Sequence, residues 1–213
     1  MSINKRFISF EGIDFSGKST QIQNLKEKLI ESDQEVLVLR EPGGTAISEL
    51  IRDILLDKNN LSMTSTTELL LYSAARNQVL NEQIIPALKS GVFVIADRYV
   101  DSTTAYQGYG RQISLDLIQQ INHIATNDLL PSLTFFLDLP LDKMINRQKI
   151  VKNEIDRLES AGLDFFNRVR EGYLKIADID TNRLKVINAD RDISNITNEI
   201  WELVRTKIDF NSR

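Results

Sequence analysis

Five short runs of crowded apolar residues punctuate the chain: Phe7 to Phe10, Val36 to Leu39, Val92 to Ala96, Leu133 to Leu137 and Leu184 to Ile187. Each is of strand length and rich in β-branched or aromatic side chains, and the apolar positions crowd together instead of alternating. That pattern predicts strands covered on both faces, the habit of a parallel sheet. Between the runs the period changes to that of an α-helix. Ser19 to Ile30 places Ile22, Leu25, Leu29 and Ile30 on one side, and Ala46 to Leu56 does the same with Ile47, Leu50, Ile51, Ile54 and Leu55. Ser65 followed by Glu68 reads as a capping box opening a long helix towards Lys89, kinked or ended at Pro86. Ser114 to Ala125 and Ile193 to Ile208 repeat the helical pattern. Strands alternating with helices predict βαβ units and a doubly wound α/β fold. Ligands of such sheets bind beyond the carboxyl ends of the strands, so chemistry is expected in the loops after Phe10, Leu39, Ala96 and Leu137.

Length and composition narrow the classes. The 213 residues contain no internal repeat and no Pro/Gly/Ser-rich linker, so the expectation is a single domain over residues 1–213. Charged residues make up 26% of the chain and the net charge is −4, which disfavours general binding to nucleic acid or to an anionic membrane. With no cysteine there is no disulfide, no thiolate zinc site and no cysteine nucleophile, which suits a reducing cytosol. No run approaches the roughly 18 apolar residues of a membrane span, and Lys5 and Arg6 stand where a secretory signal would need its apolar core. A cytoplasmic location is expected.

The loop after the first run carries the strongest motif. Gly12-Ile13-Asp14-Phe15-Ser16-Gly17-Lys18-Ser19 matches G-x-x-x-x-G-K-[ST] and stands between a strand and a helix, the context the motif requires. Glycines there let backbone N–H groups turn inward, and the helix N-terminus adds its dipole, so phosphate oxygens have a nest. Lys18 would reach the β- and γ-phosphates and the Ser19 hydroxyl would ligate Mg²⁺. Asp14 inside this loop is repelled by a triphosphate, so its charge is expected to accept from a substrate hydroxyl or to pair with an arginine. The alternative is a solvated turn carboxylate.

The third strand ends in Asp97-Arg98-Tyr99, followed by a stretch containing Ser102, Thr103, Tyr106 and Gln107. A carboxylate at a strand end in a P-loop protein is placed to hold Mg²⁺, and Arg98 can grip a second phosphate bidentately. The neutral donors and acceptors that follow suit a base edge or a sugar. Arg40-Glu41-Pro42-Gly43-Gly44-Thr45 forms a rigid loop after the second strand. Tyr72 and Arg76, at i and i+4, share a helix face where an aromatic plane and a guanidinium would meet a planar base together; core packing and a solvated charge are the alternatives. Lys143 to Lys152 holds Lys143, Arg147, Lys149 and Lys152 without an acid, either a solvated helix face or a lid over phosphoryl oxygens. Phe165 and Phe166 read as core. His123, the only histidine, and Trp201 read as structural.

Taken together, Phe10-Glu11-Gly12 to Thr20, Arg40 to Thr45, Asp97 to Tyr99, Asp101-Ser102, Ala105-Tyr106-Gln107-Gly108 and Asp156-Arg157 resemble bacterial thymidylate kinases, colinearly from about Phe7 to Asp190. The resemblance implies a P-loop NTPase of the nucleoside-monophosphate-kinase type. Its five-stranded parallel sheet would be flanked by helices on both faces, with a small lid at about residues 143–157, and the protein would be a homodimer. It implies transfer of the γ-phosphate of Mg·ATP to dTMP. Carried over by position, Gly12 to Thr20 would cradle ATP, Asp14 would meet the deoxyribose, Arg98 the acceptor phosphate, and Tyr72 would stack on thymine. Arg76 would bond the base, Thr103 and Gln107 would line its pocket, Tyr106 would pack under the sugar and disfavour a 2′-hydroxyl, and Arg52 is a further pocket residue. The resemblance also implies a cis Glu41–Pro42 bond.

Two departures stand out. Tyr72 occupies a position that is more often Phe, which leaves the ring face unchanged. The loop interior Ile13-Asp14-Phe15-Ser16 lacks the arginine some members place there, so the lid is expected to supply the catalytic charge. Arg147 and Arg157 lead, with Lys149 and Lys152 behind, because a lysine cannot make the same fork. Two rival readings remain: a related kinase with another acceptor, and a P-loop switch ATPase that works on a partner.

Overall fold

The computed structural model describes residues 3–151, 157–158 and 161–208. Lys152 and Asp156, both named above, lie outside the described residues. All five apolar runs are strands: β1 Phe7–Glu11, β2 Val36–Arg40, β3 Phe93–Asp97, β4 Leu133–Asp138 and β5 Leu184–Asn188. They pair in parallel in the order β2-β3-β1-β4-β5, with Ser9 of β1 opposite Ala96 of β3 and Thr134 of β4. Each strand runs one polar residue past its apolar stretch, and three of those residues, Glu11, Arg40 and Asp97, stand at the edge of the loops that form the site.

Side-chain alternation splits the core across the sheet. Ile8, Phe10, Phe93 and Ile95 pack with α1 (Lys18–Glu31) and α9 (Ile193–Lys207), whereas Phe7, Val94 and Ala96 pack with Val79, Leu80, Ile84 and Leu88. Helices therefore cover both faces, as a parallel sheet requires. The cover is complete for β1, β3 and β4 only. On the edge strands Val38 is 37% and Val186 43% exposed, a correction to the expectation of full burial.

Helix α2 (Ala46–Leu56) departs further. Thr45 caps it by accepting from the Ser48 N–H at 3.2 Å, but of the expected apolar stripe only Leu55 is fully buried. Ile47, Leu50 and Ile54 face outward at 48–65% exposure, and Ile30 of α1 is 51% exposed. Helix α3 (Ser65–Val79) starts one residue earlier in its capping logic than the sequence suggests. Thr64 is the cap, accepting from the Thr67 N–H, and Glu68 turns into the interior. Pro86 neither ends nor breaks this helix. A π-helical turn at Leu80–Ile84 leads into α4 (Ile85–Lys89), and the wider turn absorbs the backbone bond that proline cannot make.

A second π-helical segment, Thr104–Gly110, continues the short α5 (Val100–Thr103) and has no counterpart in the sequence reading. It lies tightly against α8 (Leu163–Ile179): a Cβ on Gly110 would come within 2.6 Å of the Phe165 ring. Phe165 and Phe166 are core, as expected. Trp201 packs against the core edge, and His123 lies on the surface beside Asp128 at 2.7 Å. A 3₁₀ turn at Ile3–Arg6 and helices α6 (Leu115–Thr126) and α7 (Leu141–Val151) complete the described elements. Among the described residues no helix is long and apolar enough to cross a membrane.

Candidate active site

The loop from Gly12 to Lys18 leaves the central strand and caps α1. Gly12 has φ +139°, and a Cβ there would sit 2.7 Å from the Leu137 carbonyl oxygen, so the turn accepts glycine alone. Gly17, in the left-handed region, precedes the first helical residue, Lys18, and the first-turn N–H groups face the cleft. Lys18 is buried, with Nζ donating to the carbonyls of Gly12 and Ile13 at 3.2 Å each. Burial, and then the Arg98 charge, push its ammonium below the ordinary lysine value. The hydroxyl of Ser16 is buried without a partner among the described residues. This loop, Asp97, Arg98, Arg147, Arg191 and Ile193 line a cleft of about 820 Å³.

Arg98 forms the joint between the two halves of the site. It follows β3 with φ +76°, a strained conformation for a residue with a side chain. Its N–H is held by Phe10 O at 2.9 Å, and its guanidinium donates to Gly12 O at 2.8 Å and to Asp14 Oδ1 at 2.7 Å, above the Tyr106 ring. Burial works against the Asp14 charge, but Arg98 and Lys18 outweigh it and hold the carboxyl below its ordinary value. Of the readings left open for Asp14, pairing with an arginine is the one observed. Asp97 keeps a buried Oδ1 that takes no hydrogen bond among the described residues.

Glu11, fully buried at the end of β1, braces the same turn. Its carboxylate accepts from the Tyr99 N–H at 2.7 Å, from Ser102 Oγ at 2.5 Å and from Tyr173 Oη at 2.8 Å. Burial and the nearby Asp101 charge push it up to about 7. The sequence reading gave this residue no role, although a charge closing an otherwise apolar central strand was a visible clue.

Across Arg98 from the cleft lies a smaller cavity of about 110 Å³, bounded by Tyr72, Arg76, Thr103, Tyr106 and Gln107. The structure thus brings together every residue expected around the base. Arg76 is far from a solvated charge. It is 2% exposed and donates through Nε to Glu41 Oε2 at 2.6 Å, through Nη1 to Thr103 Oγ1 at 2.6 Å and through Nη2 to Tyr99 O at 3.0 Å. Burial pushes the Glu41 carboxyl upward against the pull of Arg76. Arg52 donates to Pro42 O at 2.9 Å and lies on the wall of both cavities. The Glu41–Pro42 bond is cis. Tyr106 places its ring in the pocket, and its buried hydroxyl has no hydrogen-bond partner among the described residues.

The two lid arginines part company. Arg147, on α7, bridges from Phe15 O at 3.1 Å to Ala189 O at 2.8 Å and so lies over the P-loop. Arg157 is not brought to the loop. It is buried against Glu68 Oε2 at 2.7 Å and Leu55 O at 2.8 Å, beside Leu158, which lines the acceptor cavity. The reason is electrostatic: Glu68 is an interior carboxylate, and Arg157 and Arg111 neutralise it. Lys149 is exposed, and Lys143 pairs with Asp190 at 3.0 Å. Residues not foreseen in the cleft, Ala189 and Arg191 of the loop between β5 and α9 and Ile193 at the start of α9, come from a stretch where the sequence shows no motif.

A phosphate-binding cleft opening directly onto a smaller cavity, with two arginines and two carboxylates (Arg52, Arg98, Asp14 and Glu41) on the wall they share, defines a class: a P-loop kinase acting on a small planar acceptor. Comparison with known proteins narrows it. The thymidylate kinase family model matches residues 10–200. A thymidylate kinase of Desulforudis audaxviator is 47% identical over 200 residues, covering 93% of this chain and 90% of the relative. One of Chlorobaculum tepidum is 49% identical over 190 residues, covering 85% and 88%. The crystal structure of thymidylate kinase from Ehrlichia chaffeensis superposes with a TM-score of 0.76 at 36% identity, covering 93% of this chain and 97% of that one. The chain belongs to the thymidylate kinase family, whose reaction is phosphorylation of dTMP by ATP.

Proposed function

We propose that the chain, acting as one kinase domain, transfers the γ-phosphoryl group of Mg·ATP to dTMP along the line from cleft to cavity. The observation that carries this reading is the shared wall: Asp14, Glu41, Arg52 and Arg98 line both the cleft and the cavity, so donor and acceptor phosphates would meet at Arg98. The acceptor phosphate is already a nucleophile, so no general base is required and catalysis reduces to alignment and charge neutralisation. Gly12 to Thr20 would cradle the ATP phosphates, with Lys18 leaving its carbonyl partners for the β- and γ-oxygens. Arg98 would hold the dTMP phosphate, and Asp14 would accept from the 3′-hydroxyl. Thymine would lie on Tyr72, bonded by Arg76 and Gln107 beside Thr103, with Arg52 closing the phosphate end. Tyr106 would occupy the space a 2′-hydroxyl needs. Arg147, already over Phe15, is the residue we assign to the transferring group; Arg157 would anchor the lid's far end.

Ser19 and Asp97 suit Mg²⁺, because the buried, unpartnered Oδ1 of Asp97 is a hard oxygen at the cleft wall. Bound with ATP, the ion would neutralise charge on the β- and γ-oxygens. The exposed Ile47, Leu50 and Ile54 of α2, with Leu70 of α3 at 53% exposure, support a homodimer that covers them. The absence of cysteine supports a cytoplasmic setting.

The test is ADP release from Mg·ATP against dTMP, dUMP, AMP, GMP, CMP, thymidine and no acceptor. Strong preference for dTMP is expected. Equal turnover without acceptor would replace this reading by a switch ATPase, and another preferred monophosphate would discard the base-pocket assignments.

A further inference from the structure

Glu68 lies on α3 one turn before Tyr72 and two before Arg76, so the three share the face that looks onto the acceptor cavity. It is 1% exposed. Its Oε1 accepts from Gln107 Nε2 at 2.9 Å and from Arg111 Nε at 3.2 Å, and its Oε2 accepts from Arg111 Nη2 at 3.1 Å and Arg157 Nη2 at 2.7 Å. Burial opposes its charge, but the bonds from Arg111 and Gln107 outweigh it and keep the carboxyl below its ordinary value. An ionised carboxylate only accepts hydrogen bonds, so the amide of Gln107 has a single orientation beside it: NH₂ towards Glu68, carbonyl away. Gln107 lines the cavity, and Oε1 is therefore the atom it presents to a ligand. The opposite element, Arg76, can only donate.

We propose that Glu68 is a positioning residue that sets base specificity. By fixing the Gln107 amide, it makes the pocket offer an acceptor beside a donor, and so selects a base edge with a ring N–H next to a carbonyl. Thymine and uracil carry that edge. Cytosine carries the reverse, a bare ring nitrogen next to an amino group, and would set acceptor against acceptor and donor against donor in a desolvated site. The inference rests on the dTMP-acceptor reading and deepens it.

The experiment compares the unmutated chain with Glu68→Gln, alone and in a Gln107→Ala background, measuring kcat/KM for dTMP, dUMP and dCMP. Glu68→Gln lets the Gln107 amide turn over, so the dTMP/dCMP ratio should fall by about tenfold or more, the weight of one reversed hydrogen bond. The dTMP/dUMP ratio should stay fixed, since both bases show the same edge. In the Gln107→Ala background, Glu68→Gln should leave the dTMP/dCMP ratio unmoved. An equal loss on dTMP and dCMP would overturn the proposal and leave Glu68 a clamp for Arg111 and Arg157. Failure of the unmutated chain to use dTMP would overturn the acceptor reading and this inference with it. A readout independent of the variant's folding uses the unmutated protein without nucleotide: the Gln107 side-chain amide protons, assigned by their loss in Gln107→Leu, should be protected from solvent exchange. Fast exchange would overturn the proposal.

Discussion

Replacing Glu11 by Gln should change how the protein's stability depends on pH. The substitution keeps the shape and an acceptor for the Tyr99 N–H but removes the charge from the end of β1. A carboxyl whose ordinary value is 4.5 and which the fold pushes up to about 7 binds its proton more tightly folded than unfolded. Its contribution to stability is thus complete below about pH 4.5 and is lost as the pH rises through 7. The full displacement corresponds to about 3 kcal/mol, or roughly 6–12 °C in Tm for a chain of this size. The assay is the thermal midpoint of both proteins by circular dichroism from pH 5 to 8. Other displaced groups, Glu41 upward and Asp14 downward, titrate in both proteins, so the difference between the two curves isolates Glu11. Glu11→Gln should gain on the unmutated chain by most of that amount across the interval. Parallel curves would refute the reasoning, because the carboxylate would then be ionised in the fold at no cost.

Three further substitutions test the joint and the lid. Arg98→Ala should lower kcat/KM for dTMP by about 10²–10³, since it removes a partly buried charge pair as well as the phosphate grip, while KM for ATP moves little; initial rates with dTMP varied check this, and an unchanged dTMP dependence contradicts it. Arg147→Ala should reduce kcat by about 10³ or more with the thermal midpoint nearly kept, whereas Arg157→Ala should chiefly lower the midpoint by leaving Glu68 short of a counter-charge. The reverse pattern would move the catalytic charge to Arg157.

The architecture was legible wherever burial dictates sequence. Every central strand was marked by its apolar run, because both faces need covering. The edge strands and α2 were misjudged for the same reason: Val38, Ile47 and Leu50 are apolar without being buried in this chain. The P-loop was legible because only glycine tolerates the Gly12 geometry. Arg98, Asp14 and the base pocket were legible through the family pattern, and the geometry then brought them together. Glu68 was not, since its spacing from Ser65 imitates a helix cap while its partners, Gln107, Arg111 and Arg157, lie 39 to 89 residues away. Nor were the two π-helical turns, which depend on tertiary packing and leave no composition of their own.

The second of these turns gives the site a sensitivity to chain length. Within Thr104–Gly110, backbone bonds reach one residue further back than in an α-helix, as from the Arg111 N–H to Tyr106 O, so the segment holds one residue more than its span would otherwise contain. Removing a single residue there would restore ordinary helical winding, leaving the chain beyond the segment in register and re-aiming the side chains within it by up to about 100° around the axis. Thr103, before the segment, would keep its place on Arg76, whereas Gln107, inside it, would be carried off Glu68. A frame-preserving deletion in these seven residues would therefore act on the acceptor pocket through Gln107 while leaving the elements on either side in place.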